Sequence, residues 1–130
     1  MNLDKNFFVK QDFTKDELDK YKKPIHRNLG IAKTSDEPEI IFHFSYMAFL
    51  KIGIYCLAKQ GYRVKSRMGH HQKIIEGLSE ILKSEDIFLV GDKMRKDRNL
   101  SMYSADFLSF REEIDEYLNF TEALSKKILS

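Results

Sequence analysis

Apolar residues recur at helical spacing along nearly the whole chain. Leu18, Tyr21, Ile25 and Leu29 keep to one face of a first helix. Thr14, with Glu17 three residues on, is a capping box that opens it. Pro24 lies inside this pattern and lacks a backbone donor, which predicts a kink or a break. The stretch Thr34-Ser35-Asp36-Glu37-Pro38 punctuates the chain and starts a second helix, with a hydroxyl to cap it, acids at its positive end and Pro in its first turn. This long apolar helix runs to about Gln60, where Gly61 suits a left-handed C-terminal cap. Tyr62 to Gly69 reads as a basic loop. A third helix spans about His70 to Ser84, with Ile74, Ile75, Leu78, Ile81 and Leu82 on its apolar face, and a fourth spans Asp86 to Tyr103. In the fifth, from about Asp106, Phe107, Phe110, Ile114, Tyr117, Thr121, Leu124 and Ile128 form a heptad-like seam that faces one neighbour. No segment alternates strictly for long enough to demand a sheet. The expectation is an all-α, antiparallel four- to five-helix bundle over residues 14–130, preceded by an arm over residues 1–13 with a short extended piece at Asn6–Val9.

A chain of 130 residues fits one domain. With 42% hydrophobic and 32% charged residues it suits a folded soluble domain and is too apolar for a disordered one. The net charge of +2 is too small to imply a partner, but its distribution says more. Lys59 to Ile75 holds five Lys/Arg residues and no acid, whereas Asp106 to Glu122 holds six acids against Arg111 alone. A basic end able to meet an anion therefore coexists with an acidic helix. The single cysteine, Cys56, excludes an internal disulfide framework and points to the reducing cytoplasm. The Phe7-Phe8-Val9 cluster is too short for a secretory h-region. Ile40–Ala58 has the length of a membrane span but carries His43, Ser45 and Lys51. A lysine at mid-span costs about 2.5–3.5 kcal/mol on insertion, so the segment is expected to be a buried central helix, with no membrane partner.

The chemistry concentrates near the end of the fourth helix. Lys93, Arg95, Lys96 and Arg98 lie beside Asn99 and Tyr103. Arg95, Asn99 and Tyr103 share one stripe at i, i+4 and i+8, and Arg98 lies one residue off it. A guanidinium fork suits a phosphate and a phenol ring stacks on a base; a solvated helix face with Tyr103 partly packed has the same composition. Arg63, Lys65 and Arg67 precede His70 and His71, and a helix N-terminus among cations is an anion site. Adjacent histidines point ~100° apart on a helix and chelate poorly, so no metal is expected. The alternative is that one packs against the fourth helix while the other faces water. His26 and His43, inside apolar helices, read as packing residues. Phosphate loops, nucleophile elbows and a compact helix-turn-helix signature are absent, and no cofactor is implied.

The run Arg98-Asn99-Leu100-Ser101-Met102-Tyr103 resembles the signature of the HEPN superfamily, in which an Arg and a following polar residue precede a His by four to six positions. Gly61-Tyr62-Arg63 at the end of a long apolar helix, Gly69-His70-His71 after a basic loop, and Arg95-x-x-Arg98-Asn99-x-x-x-Tyr103 on a later helix are similar, in that order, to one branch of it. The resemblance covers roughly residues 14–129. It implies a helical bundle that forms a homodimer, with the motif helices of two subunits around a shared cleft. Many members are metal-independent ribonucleases of toxin–antitoxin or defence systems, and others bind nucleotides or partner a nucleotidyltransferase antitoxin. Carried over, Arg98, Asn99 and Tyr103 are the catalytic group, and Arg95, His70, His71, Arg63, Lys65 and Arg67 bind substrate. Arg98 would stabilise charge on a scissile phosphate and Asn99 would orient a ribose 2′-hydroxyl. The chain departs from the pattern at the His position, which holds Tyr103, and a phenol of pKa about 10 is poorly matched to proton transfer at neutral pH. Two expectations follow: a protein that binds or cleaves RNA, or a catalytically silent dimer that binds a nucleotide or a partner protein.

Overall fold

Thr14 opens the first helix as its spacing predicts. A computed structural model of the chain describes residues 3–101 and 111–129. In it the Thr14 hydroxyl accepts from the Glu17 N–H at 3.1 Å while the Glu17 carboxylate accepts from the Thr14 N–H at 3.0 Å. These two bonds hold the Glu17 carboxyl below the usual range. The helix, α1 (Lys15–Thr34), runs unbroken through Pro24, so the expected break does not occur. It buries Ile25, Leu29 and Ala32. Ser35 ends it in extended conformation, and its hydroxyl accepts from the Glu37 N–H at 3.1 Å, just ahead of Pro38 in the first turn of α2 (Pro38–Lys59).

The helix α2 shows no amphipathic face because it is covered from several directions. It contacts α1, α3 (His70–Leu82), α4 (Glu85–Ser101) and α5 (Arg111–Leu129), together with the strand β2 (Tyr62–Val64). Tyr46, Ala48, Phe49, Ile52 and Leu57 are fully buried on it. It is long and apolar enough to cross a membrane, but 67% of its apolar window is buried inside the fold, so its hydrophobic surface is occupied by the other helices. Close approach to α3 and α4 depends on missing side chains. A Cβ at Gly53 would come within 2.6 Å of Ile74 Cγ2, and one at Gly91 within 2.7 Å of Phe49 Cε1.

Gly61 takes the expected left-handed conformation at φ +86°, its N–H donating to the Ala58 carbonyl at 2.9 Å. The chain that follows differs from a plain loop. Strand β1 (Phe8–Lys10) pairs antiparallel with β2, with Phe8 opposite Val64, Val9 opposite Arg63 and Lys10 opposite Tyr62. Three-residue strands are too short to announce themselves by alternation, which is why helical periodicity alone missed this small sheet. The Lys65 N–H donates to the Phe7 carbonyl at 2.7 Å and extends the clamp.

Ile74, Ile75 and Leu78 of α3 are buried, and Lys83 ends that helix at φ +50°. The seam on α5 is core: Ile114, Tyr117, Thr121 and Leu124 are buried against α2 and α1. Phe107 and Phe110 of the expected seam lie outside the described residues. Two readings are corrected. His26 and His43 are exposed, not packed inside, because each falls on the outward side of its helix. Among the described residues the fold is thus an all-helical bundle of five helices with one two-stranded sheet.

Candidate anion-binding groove

Gly69 turns the chain at φ +83° into the first residue of α3. Arg67, His70 and His71 are thereby carried to the flank of α4, where Arg95, Arg98 and Asn99 project. Together with Ser66, Met68, Gly69 and Gln72 they line a groove of about 640 Å³. Arg95 and Arg98 are half-buried there and Asn99 is exposed. Two segments that the sequence marked separately as basic therefore share one wall-to-wall site.

Each cation is positioned by a nearby acceptor or ring. Arg95 donates to one oxygen of Asp92 through Nε at 3.1 Å and through its terminal nitrogen at 2.9 Å. Lys96 reaches the other carboxylate oxygen at 3.0 Å. Burial opposes ionisation of Asp92, yet the hydrogen bonds from Lys96 and Arg95 and their charges outweigh it and keep its carboxyl below the usual range. Arg67 donates to the Asn6 carbonyl at 2.8 Å and lies over the Phe7 ring, 5.6 Å from its centroid. Arg98 lies 6.0 Å from the centroid of the Tyr46 ring, which in turn stacks on Phe42 with the two planes 8° apart.

Tyr46 is the residue that sequence reasoning missed. It is fully buried on α2, and its hydroxyl stands 3.1 Å from Nδ1 of His71. Burial pushes the phenol up to about 12, against the lowering charges of Arg98 and Arg95. Burial also drives His71 down to about 4, helped by His70, Arg98 and Arg95. His70 packs edge to face on His71, with centroids 4.5 Å apart, and its Nδ1 lies 2.6 Å from the Arg67 carbonyl. No group of three or more metal-ligating side chains is gathered among the described residues.

Not every expected ligand residue reaches the groove. Arg63 is exposed on β2, where Nε donates to the Gln11 side chain at 3.1 Å, and it lines a neighbouring hollow of about 210 Å³ that shares Ser66 and His70 with the groove. Lys65 donates to the Lys5 carbonyl at 3.4 Å. Both side chains are engaged with the N-terminal segment. Tyr103 lies outside the described residues. A further hollow of about 550 Å³ between α1 and α5 includes Glu122. That carboxylate is already matched by Lys33 at 3.1 Å and Lys126 at 3.5 Å. Compared with protein-family models, with curated proteins and with solved structures, the chain matches none of them.

Proposed function

We propose that this chain is a HEPN-type cytoplasmic protein that binds RNA in the groove between the start of α3 and the end of α4. The observation that carries the reading is the convergence of Arg67, Arg95 and Arg98 with His70 and His71 on one concave surface. Three guanidinium groups at this spacing offer charge-assisted, forked donors to successive phosphates. Asn99 at the rim adds an amide able to meet a sugar or a base edge. Two copies of α4 facing each other across a homodimer would double the groove into a cleft long enough for a single strand. Service as one half of a toxin–antitoxin pair, with a nucleotidyltransferase as the other half, extends the same reading.

Binding without cleavage is favoured over ribonuclease action by one observation. The His position of the motif holds Tyr103, and a phenol of pKa about 10 is poorly matched to proton transfer at neutral pH. Burial likewise pushes Tyr46 up to about 12 and His71 down to about 4. A nucleotide, whose phosphates would meet the same guanidinium groups, is the smaller alternative ligand.

Titration of a fluorescent single-stranded RNA at several salt concentrations tests the proposal. Affinity is expected to fall steeply with salt, with a slope of about 0.7 for each phosphate neutralised on a single strand. Arg98→Ala should weaken binding and flatten that slope by roughly one phosphate. Binding that is insensitive to both salt and Arg98→Ala would overturn the reading. Competition with mononucleotides separates the smaller ligand, and intact RNA after prolonged incubation separates binding from cleavage.

A further inference from the structure

The two histidines at the start of α3 are held in opposite protonation patterns. A carbonyl oxygen only accepts, so the contact of His70 Nδ1 with the Arg67 carbonyl at 2.6 Å places a proton on Nδ1. Nε2 of neutral His70 is then a bare acceptor. His71 is the reverse. Its Nδ1 faces the Tyr46 hydroxyl at 3.1 Å, and Tyr46 is fully buried with no other hydrogen-bond partner for that hydroxyl among the described residues. If Nδ1 donated here, the phenolic proton would be buried with no acceptor among the described residues, an arrangement that costs more than the bond returns. Tyr46 therefore donates, Nδ1 accepts, and the proton of His71 sits on Nε2, on the ring edge away from the core. The neighbouring charges reinforce this. Arg95 and Arg98 oppose a second proton on His71, and the carboxylate of Asp92 on α4 is already engaged by Arg95 and Lys96.

We infer that His70 and His71 form an acceptor–donor pair that reads a ribose 2′-hydroxyl, with Tyr46 as the residue that sets the polarity of the pair. The inference rests on the RNA reading above and supplies its sugar specificity. A 2′-hydroxyl both donates and accepts. It gives its proton to His70 Nε2 and accepts from His71 Nε2–H, while the adjacent phosphate meets Arg95 and Arg98. Both rings line the groove, with their centroids 4.5 Å apart. DNA offers nothing to either nitrogen, and a 2′-O-methyl group lacks the proton that His70 requires.

The test compares one short sequence made as RNA, as DNA and as 2′-O-methyl RNA, by fluorescence anisotropy in mildly alkaline buffer. Wild-type protein is expected to prefer RNA over both analogues by roughly five- to tenfold, the worth of one or two neutral hydrogen bonds. His70→Ala should make RNA and DNA bind alike. Tyr46→Phe, which keeps the ring beneath Arg98 and removes only the hydroxyl, should shrink the preference in part. Equal binding of all three backbones by the wild type, or a preference that survives His70→Ala, overturns the pair and leaves the groove reading standing. Failure to bind any oligonucleotide overturns both. Nitrogen NMR on the unaltered protein decides the assignments without a ligand. Nδ1–H on His70 with Nε2–H on His71 is expected, and two histidines in the same form would refute the pair.

Discussion

The phenol of Tyr117 on α5 donates to the carboxylate of Asp97 on α4 at 2.5 Å. The same oxygen accepts from Lys93 at 3.1 Å, and Lys93 continues to Glu113 at 2.9 Å. One hydroxyl thus joins two charged side chains of α4, Asp97 and Lys93, to α5. The effect on titration is consistent: burial, and then the bond to Asp97, keep the Tyr117 phenol above its ordinary range. The bond to Glu113 is the main reason that Lys93 holds its proton more firmly than usual. These bonds tie the second half of α4 to α5.

Tyr117→Phe deletes the hydroxyl and keeps the buried ring against Phe42. Hydrogen bonds to charged groups contribute about 1.5–3 kcal/mol when buried, and partial solvent access to Asp97 and Lys93 reduces that. A loss of about 1–2 kcal/mol is expected from urea unfolding midpoints. An unchanged midpoint would mean that the chain of bonds carries no net stability.

His71 gives the fold a pH dependence of defined sign. Its folded-state value is depressed to about 4 from an ordinary value of about 6.5. Between those limits the unfolded chain binds more protons than the native one, so stability rises with pH across the window. The contribution is complete above the unfolded value and is lost as pH falls toward about 4. Melting temperatures measured across this range should climb with pH, and His71→Gln should flatten the climb.

Gly91→Ala pits propensity against sterics. Alanine gains up to about 1 kcal/mol in a helix interior. The added methyl, however, would sit 2.7 Å from Phe49 Cε1 and 2.8 Å from Ile75 Cγ2, two fully buried residues with little room to yield. Overpacking at such a site costs about 1–3 kcal/mol, so net destabilisation is expected, and RNA affinity should fall as α4 is pushed off α2 and α3. A denaturant titration showing a stabilised variant would contradict this packing.

Thr14→Ala removes the capping box at the head of α1. A loss of about 1 kcal/mol is expected, with Thr14→Ser restoring most of it, both read from urea midpoints.

How far the sequence carried depends on whether a feature is local. The Thr14–Glu17 box, the Gly61 cap and the buried positions Ile114, Tyr117, Thr121 and Leu124 are each written in short-range spacing, and each is found as expected. Arg67, His70, His71, Arg95, Arg98 and Asn99 carry chemistry that is plain in the sequence, but nothing short-range says that two distant segments share one groove. Arg63 and Lys65 looked equivalent to Arg67 because the β1–β2 pairing that turns them elsewhere leaves no periodic trace. Tyr46 sits in a helix apolar on all sides, where no face stands out. Its role became visible only through His71, 25 positions away.

The pairing of β1 with β2 has a practical side. Backbone oxygens of Lys5 and Asn6 hold the side chains of Lys65 and Arg67, and that of Phe7 holds the Lys65 N–H just past β2. Shortened versions that start at Thr14 would lose buried Phe8 and strand β1 together with the scaffold beneath Arg67. Such versions would misreport the shape of the groove, which makes the segment from Asp4 to Lys10 part of its scaffold.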